Sequence, residues 1–148
     1  MNWRLEKACS LGVISYDIPK TTVVRVTLIG DVLDRIGIGL CLLREELIDS
    51  LDLVDVKGTS RFRVQRSTHA ISIQLRQDNI DLALDAVALE LWQHFTLRTL
   101  RDGTAEVDHI DMEATLAGGS HESVDLVIAY PSSAPPVSPD EVRRRLDL

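Results

Sequence analysis

The sequence predicts an α+β fold of ferredoxin-like order, a βαββαβ sandwich with two helices on one face of a mostly antiparallel sheet, extended by one C-terminal strand and a short C-terminal helix. Three observations predict it. Several short runs alternate apolar and polar residues with β-branched enrichment. Two longer segments carry apolar residues at helical spacing. Their order along the chain, a strand, a helix, two strands, a helix and two more strands, is that of a split βαβ arrangement.

The elements follow in chain order. The run TTVVRVTLIG (21–30) reads as a strand with Val24, Val26 and Leu28 on its buried face. In the next segment, Leu33, Ile36, Leu40, Leu43 and Leu47 recur at helical spacing behind Asp31 as N-cap. SRFRVQ (60–65) and AISIQLR (70–76) read as an antiparallel hairpin. A second helix is expected from Asp78 as N-cap, with Ile80, Leu84, Val87, Leu91 and Phe95 on its stripe and RDGT at its end. The runs 106–116 and 123–130 flank AGGSHE and read as a second hairpin. Ahead of all these, VISYDI either adds a strand or crosses an edge as coil.

Residues 1–130 read as one domain, and 131–148 as a Pro/Ser-rich linker followed by a short docking helix. Ser138, Pro139 and Glu141 occupy N-cap, N1 and N3 of a capping box. A two-turn helix is too short to stand alone in water. Val142 and Leu146 are therefore expected to contact this domain, a second copy or a partner.

Gly37 and Gly39 pose the one cofactor question. A dinucleotide loop needs GxGxxG in the strand-to-helix turn, and a P-loop needs GxxxxGK[ST]. Here the third glycine and the lysine are absent, and both glycines fall inside the apolar stripe, away from free helix N-terminal amides. Each costs the helix up to about 1 kcal/mol relative to alanine. Close approach of another backbone is the expected reason for them, and no cofactor is expected.

The chain contains no HExxH, CxxC, GxSxG or EF-hand spacing. Alternation places His109, Asp111 and Glu113 on one strand face, a trio that could bind a divalent metal or supply a base and whose plainer reading is a solvated polar face. His69, His94 and His121 lack paired ligand spacing. Cys9 and Cys41 are too few for a disulfide framework and read as reduced, which with the absence of a signal-like apolar start suggests a cytoplasmic protein. No apolar run is long enough for a membrane span.

Charge is unevenly placed. The chain carries −7, yet Val56–Gln77 holds Lys57, Arg61, Arg63, Arg66 and Arg76 and no acid, leaving −12 on the rest. Arg61, Arg63 and Arg76 alternate away from the apolar positions of their strands, so they are expected on a helix-free face suited to an acidic protein patch or to a second copy's own acidic strand. Nucleic acid is disfavoured by the acidic balance and by Phe62, the hairpin's sole aromatic, which points inward. These features favour a non-catalytic interaction or regulatory protein of the immunity or assembly-subunit kind, with a homodimer expected. The alternative is a small-molecule-binding domain or enzyme with a pocket between helices and sheet.

Overall fold

A computed structural model describes residues 1–18, 20–68, 70–103, 108–117 and 122–131, together with Asp140 and Arg144. The strands are β1 (Asn2–Asp17), β2 (Lys20–Leu28), β3 (Ser50–Asp55), β4 (Arg61–Arg66), β5 (Ser72–Leu75), β6 (Asn79–Leu84), β7 (His109–Leu116) and β8 (Ser123–Ala129). A single 3₁₀ turn at Gly30–Val32 leads into α1 (Leu33–Arg44), and α2 (Ala86–Asp102) follows β6.

The strands close into a barrel in the order β1-β2-β8-β7-β5-β6-β4-β3. Antiparallel and parallel pairings alternate around it. The chain therefore runs twice through the same path, ββαββ, and the two halves are related by a pseudo-twofold rotation of the strand order. Every even strand is antiparallel to every odd one, so the connections β2–α1–β3 and β6–α2–β7 lie at the same end. The two helices pack on each other there and cover that mouth.

The interior of an eight-stranded barrel is just wide enough to be filled by side chains. Registered inward layers fill it here: Trp3, Leu51, Val64, Leu82 and Ile73 form one, and Leu5, Leu53, Phe62, Ile80 and Leu75 the next. Val24, Leu126 and Met112 belong to the opposite wall. Leu33, Ile36, Leu40 and Leu43 of α1, with Ala88, Leu89, Trp92 and Thr96 of α2, bury the helices against this core.

This closed mixed barrel replaces the open ferredoxin-like α+β sandwich expected from sequence. Three strands account for the difference. β6 was expected to be the first turns of the second helix. Ile80 and Leu84 satisfy helical spacing, but Ile80, Leu82 and Leu84 also alternate, and the buried positions follow that alternation. The true N-cap is Asp85, whose carboxylate accepts from the Ala88 N–H at 2.8 Å, and Val87 and Leu91 are exposed. β3, SLDLVD, is buried at every position and so shows no alternation to read. β1 runs for 16 residues through a segment that sequence left between strand and coil.

The expected hairpin of 60–65 with 70–76 does not form either: β4 and β5 flank β6, the first parallel and the second antiparallel to it. The β7–β8 hairpin is as expected. In α1 the stripe holds at four positions, whereas Leu47 lies past the helix and is exposed, and Asp31 belongs to the 3₁₀ turn and caps nothing with its side chain. Ser138, Pro139, Glu141, Val142 and Leu146 lie outside the described residues, as do His69 and His121.

Gly37 and Gly39 are inside α1, but the nearest atoms to both are side chains and not the backbone expected from sequence, close at Gly39 and at ordinary distance from Gly37. A Cβ on Gly39 would stand 2.7 Å from Leu51 Cδ1 and 2.9 Å from the Trp3 ring, and one on Gly37 would stand 3.4 Å from Thr96 Cγ2 of α2. Gly39 thus lets α1 lie down on the barrel mouth, while Gly37 faces the second helix. No helix among the described residues is long and apolar enough to cross a membrane.

Candidate interaction surface

Because the side chains that face inward fill the barrel, the described residues available to another molecule are those of the outer wall and of the end opposite the helices. Register sorts the outer wall into two faces. Across β1, β3, β4 and β6 one row reads Arg4, Asp52, Arg63, Asp81. Opposite charges alternate strand by strand, the favourable cross-strand arrangement. Arg63 donates from Nε to Asp52 Oδ1 at 2.7 Å and from Nη2 to Oδ2 at 3.0 Å. This two-point bond to Asp52 holds the guanidinium above its ordinary range against the opposing effect of burial. Arg61 approaches Asp52 at 4.0 Å, and Arg76 reaches Asp81 at 3.6 Å and Gln74 at 3.1 Å. Arg66 bonds Glu46 at 2.5 Å.

Of the arginines singled out from sequence, Arg61 and Arg63 lie on the outer wall of β4 with Arg76 at the β5–β6 turn beside Arg61, whereas Arg66 has the phase of Phe62 and Val64 and lies at the other end of β4; each of the four faces a carboxylate. Sequence reasoning missed Asp52 and Asp81 as their partners. Both lie outside the Val56–Gln77 window or on a strand that read as helix, so no local charge count could reveal them.

The other face, on β2, β8 and β7, is acidic. Its rows place Val23, Asp125 and Glu113 side by side, with Arg25, Val127 and Asp111 in the next. Asp125 and Glu113 are like charges directly opposite, which is unfavourable. His109, Asp111 and Glu113 share this exposed face as alternation predicts. His109 contacts Asp108 through Nδ1 at 2.6 Å and Asp111 through Nε2 at 3.2 Å. Among the described residues no group of three His, Cys, Asp or Glu side chains is placed to hold a metal ion.

Nucleophilic chemistry is poorly served by Cys9. It faces the core and contacts the Leu53 carbonyl at 3.7 Å. Burial, helped by the negative charge of Asp55, pushes its thiol up to about 12. Cys41 lies between the helices, where the Gln93 side-chain amide reaches its sulfur at 2.7 Å. Under the helices, Thr96 Oγ1 and the Tyr130 hydroxyl are 2.8 Å apart, and both reach the Trp92 carbonyl. Burial raises the Tyr130 phenol to about 12, against the lowering effect of Thr96.

Among the described residues, two shallow clefts stand out. One, about 330 Å³, lies between Leu11–Val13 of β1 and Leu75–Ile80 at the β5–β6 turn. The other, about 380 Å³, lies on the acidic face over Val23, Asp111, Glu113 and Asp125. The sequence matches no protein-family model and no curated protein.

Proposed function

We propose that this chain is a non-catalytic interaction protein that acts by covering a protein partner or a second copy of itself. One observation carries the reading. The space between helices and barrel is filled by Ile36, Leu40, Leu43, Leu89 and Trp92, all at most 1 % exposed, so recognition falls to an outer wall whose charges are sorted into a mixed face and an acidic one. The two cysteines are free thiols, which suits a reducing, cytoplasmic setting.

On this reading the partner carries an acidic patch that meets the exposed guanidinium of Arg76 beside Arg61 and Arg63, with Arg66 as a separate contact at the far end of β4. Val142 and Leu146 supply a second, apolar contact from the tail. The test is affinity capture with the intact chain and with an Arg66→Glu, Arg76→Glu double variant, which leaves the buried Arg63–Asp52 pair untouched. A partner whose association slows severalfold in the double variant, most at low salt, is the expected result. A thermal-shift panel of metabolites decides the alternative. A small molecule that stabilises the chain at about 100 times its dissociation constant, worth about 2.7 kcal/mol, would make it a ligand-binding domain instead.

A further inference from the structure

Closing a barrel removes sheet edges, and among the described residues this barrel leaves two stretches of edge: β7 meets β5 only at Thr115 and Leu116, and a longer stretch lies on β1. β1 pairs with β3 only from Asn2 to Leu5 and at Cys9, while it pairs with β2 from Cys9 to Asp17. Beyond Cys9, therefore, the β1–β2 hairpin projects past the end of β3 with one free edge. The phase of that edge is set by two hydrogen bonds. The Ala8 carbonyl accepts from Ile29 N–H, on the β2 side, and the Cys9 carbonyl accepts from Val56 N–H, on the β3 side. Because backbone groups alternate along an antiparallel strand, the N–H and C=O of Leu11, Val13, Ser15 and Asp17 point away from β2 and meet no strand among the described residues.

The side chains here are unusual for an exposed edge. Val13, Ile14 and Tyr16 are each about half exposed (52 %, 50 % and 52 %), and Ile18 is 95 % exposed. Natural edges are normally blunted with charge. Between Ser10 and Arg25 the charged residues are Asp17, Lys20 and Arg25, a net +1, whereas the rest of the chain carries −8. Along the arm two copies of this acidic protein can meet without the mutual repulsion of their acidic faces.

We infer that the free edge of β1 pairs antiparallel with the β1 edge of a second copy about a twofold axis at Ile14, joining two barrels through one continuous sheet. This deepens the self-association arm of the function proposed above and rests on it. The register follows from the edge itself. The outward groups belong to residues 11, 13, 15 and 17, and an antiparallel self-pairing that uses all of them sets Val13 opposite Ser15 and Leu11 opposite Asp17, each twice. Ile14 then faces Ile14 across the axis. On the same outer face Tyr16 of each copy lies over Gly12 of the other, where a Cβ would meet nothing within 4 Å. An aromatic ring laid over a strand glycine is a favourable cross-strand pair. Arg25, opposite Gly12 on β2, is placed to reach the face of that ring. Asp17 of one copy arrives beside the β3–β4 turn of the other, which carries Lys57. The cleft between Leu11–Val13 and Leu75–Ile80 is the space the incoming strand enters.

The test exploits the axis. In a non-hydrogen-bonded antiparallel pair the Cα atoms are about 4.5 Å apart, within the range a disulfide spans. Ile14→Cys should give a covalent dimer under mild oxidation at least tenfold faster than Val87→Cys, an exposed position on α2. Light scattering of the unmodified chain should give about twice 16.5 kDa, and Ile14→Lys, which sets two ammonium groups on the axis, should return the mass to that of one chain with the parent's circular-dichroism spectrum and a melting temperature that no longer depends on concentration. Equal crosslinking rates at the two positions, or an Ile14→Lys dimer as tight as the parent's, overturns the pairing. A chain that is monomeric at all concentrations but still captures a partner through Arg66 and Arg76 overturns the pairing and leaves the interaction reading standing.

Discussion

The two ββαββ halves trace the same path with different means. In the first, α1 has no side-chain N-cap and ends in a Schellman turn, Leu47 N–H to Leu42 O and Glu46 N–H to Leu43 O, whose left-handed position is held by Glu46 at φ 64°. In the second, α2 begins at the Asp85 cap and ends at Gly103, φ 75°, the residue suited to that conformation. The hairpins after each helix differ likewise: β3–β4 is joined by the Asp52–Arg63 ion pair, while β7–β8 opposes Glu113 to Asp125. The parallel seam of the first half involves a 16-residue strand, and that of the second a four-residue one. The lesson is that α1 is held by tertiary contact and α2 by its own caps, although the chain arrangement is the same.

Titration reaches both halves and gives the largest expected effect. Cys9 in the first is raised from 9.0 to about 12 and Tyr130, after the second, from 10.0 to about 12. In both cases the unfolded chain loses its proton first, so the stabilisation is complete below pH 9 and is lost as pH rises toward 12, on the order of 4 kcal/mol for Cys9 alone. Denaturant titrations across that window should show the slope flattened from about pH 9 in Cys9→Ala and from about pH 10 in Tyr130→Phe. Unchanged slopes would mean these groups are not buried.

Next in size, Gly39→Leu should destabilise by about 3 kcal/mol through overpacking against Leu51 and Trp3. Gly37→Ala, whose Cβ finds only ordinary contacts, should be neutral or gain up to about 1 kcal/mol of helix propensity. Similar urea midpoints for the two variants would break the claim that α1 is held by the barrel.

Arg63→Ala should then cost about 2 kcal/mol, because it leaves the Asp52 carboxylate, 5 % exposed, without its two-point donor. Asp125→Lys, by contrast, should be neutral or slightly stabilising, more so at low salt. Calorimetry on both variants measures how far the two hairpins differ.

The smallest effects separate the helices. Asp85→Ala should cost about 1 kcal/mol as α2 loses its cap. Glu46→Gly should gain up to about 1 kcal/mol by relieving the left-handed residue of α1, less whatever the exposed Arg66 contact contributes. Hydrogen exchange in the two helix ends reads both.

By itself the sequence determined which side of most elements is buried. The inward residues of β2, β4 and β7 and four of the five stripe positions of α1 follow from periodicity, and the cost of glycine in a helix pointed to close packing, which Gly39 meets from side chains and not from another backbone. The same alternation turns Arg61 and Arg63 of β4, and His109, Asp111 and Glu113 of β7, away from the buried side of their strands. Apart from the β7–β8 hairpin, tertiary structure alone decided how the strands pair. Periodicity reports a residue's face and not its neighbour, since every backbone N–H and C=O pairs equally well with any strand. The seams that close this barrel are parallel pairings between distant segments, which no turn residue marks. The same ambiguity let Asn79–Leu84 fit a helix as well as a strand until Arg61–Arg66 and Ser72–Leu75 took its two edges. The charge ladder and the free β1 edge are consequences of that closure: Asp52 and Asp81 meet Arg63 only because β3 and β6 flank β4, and the edge is free only because β3 ends at Asp55.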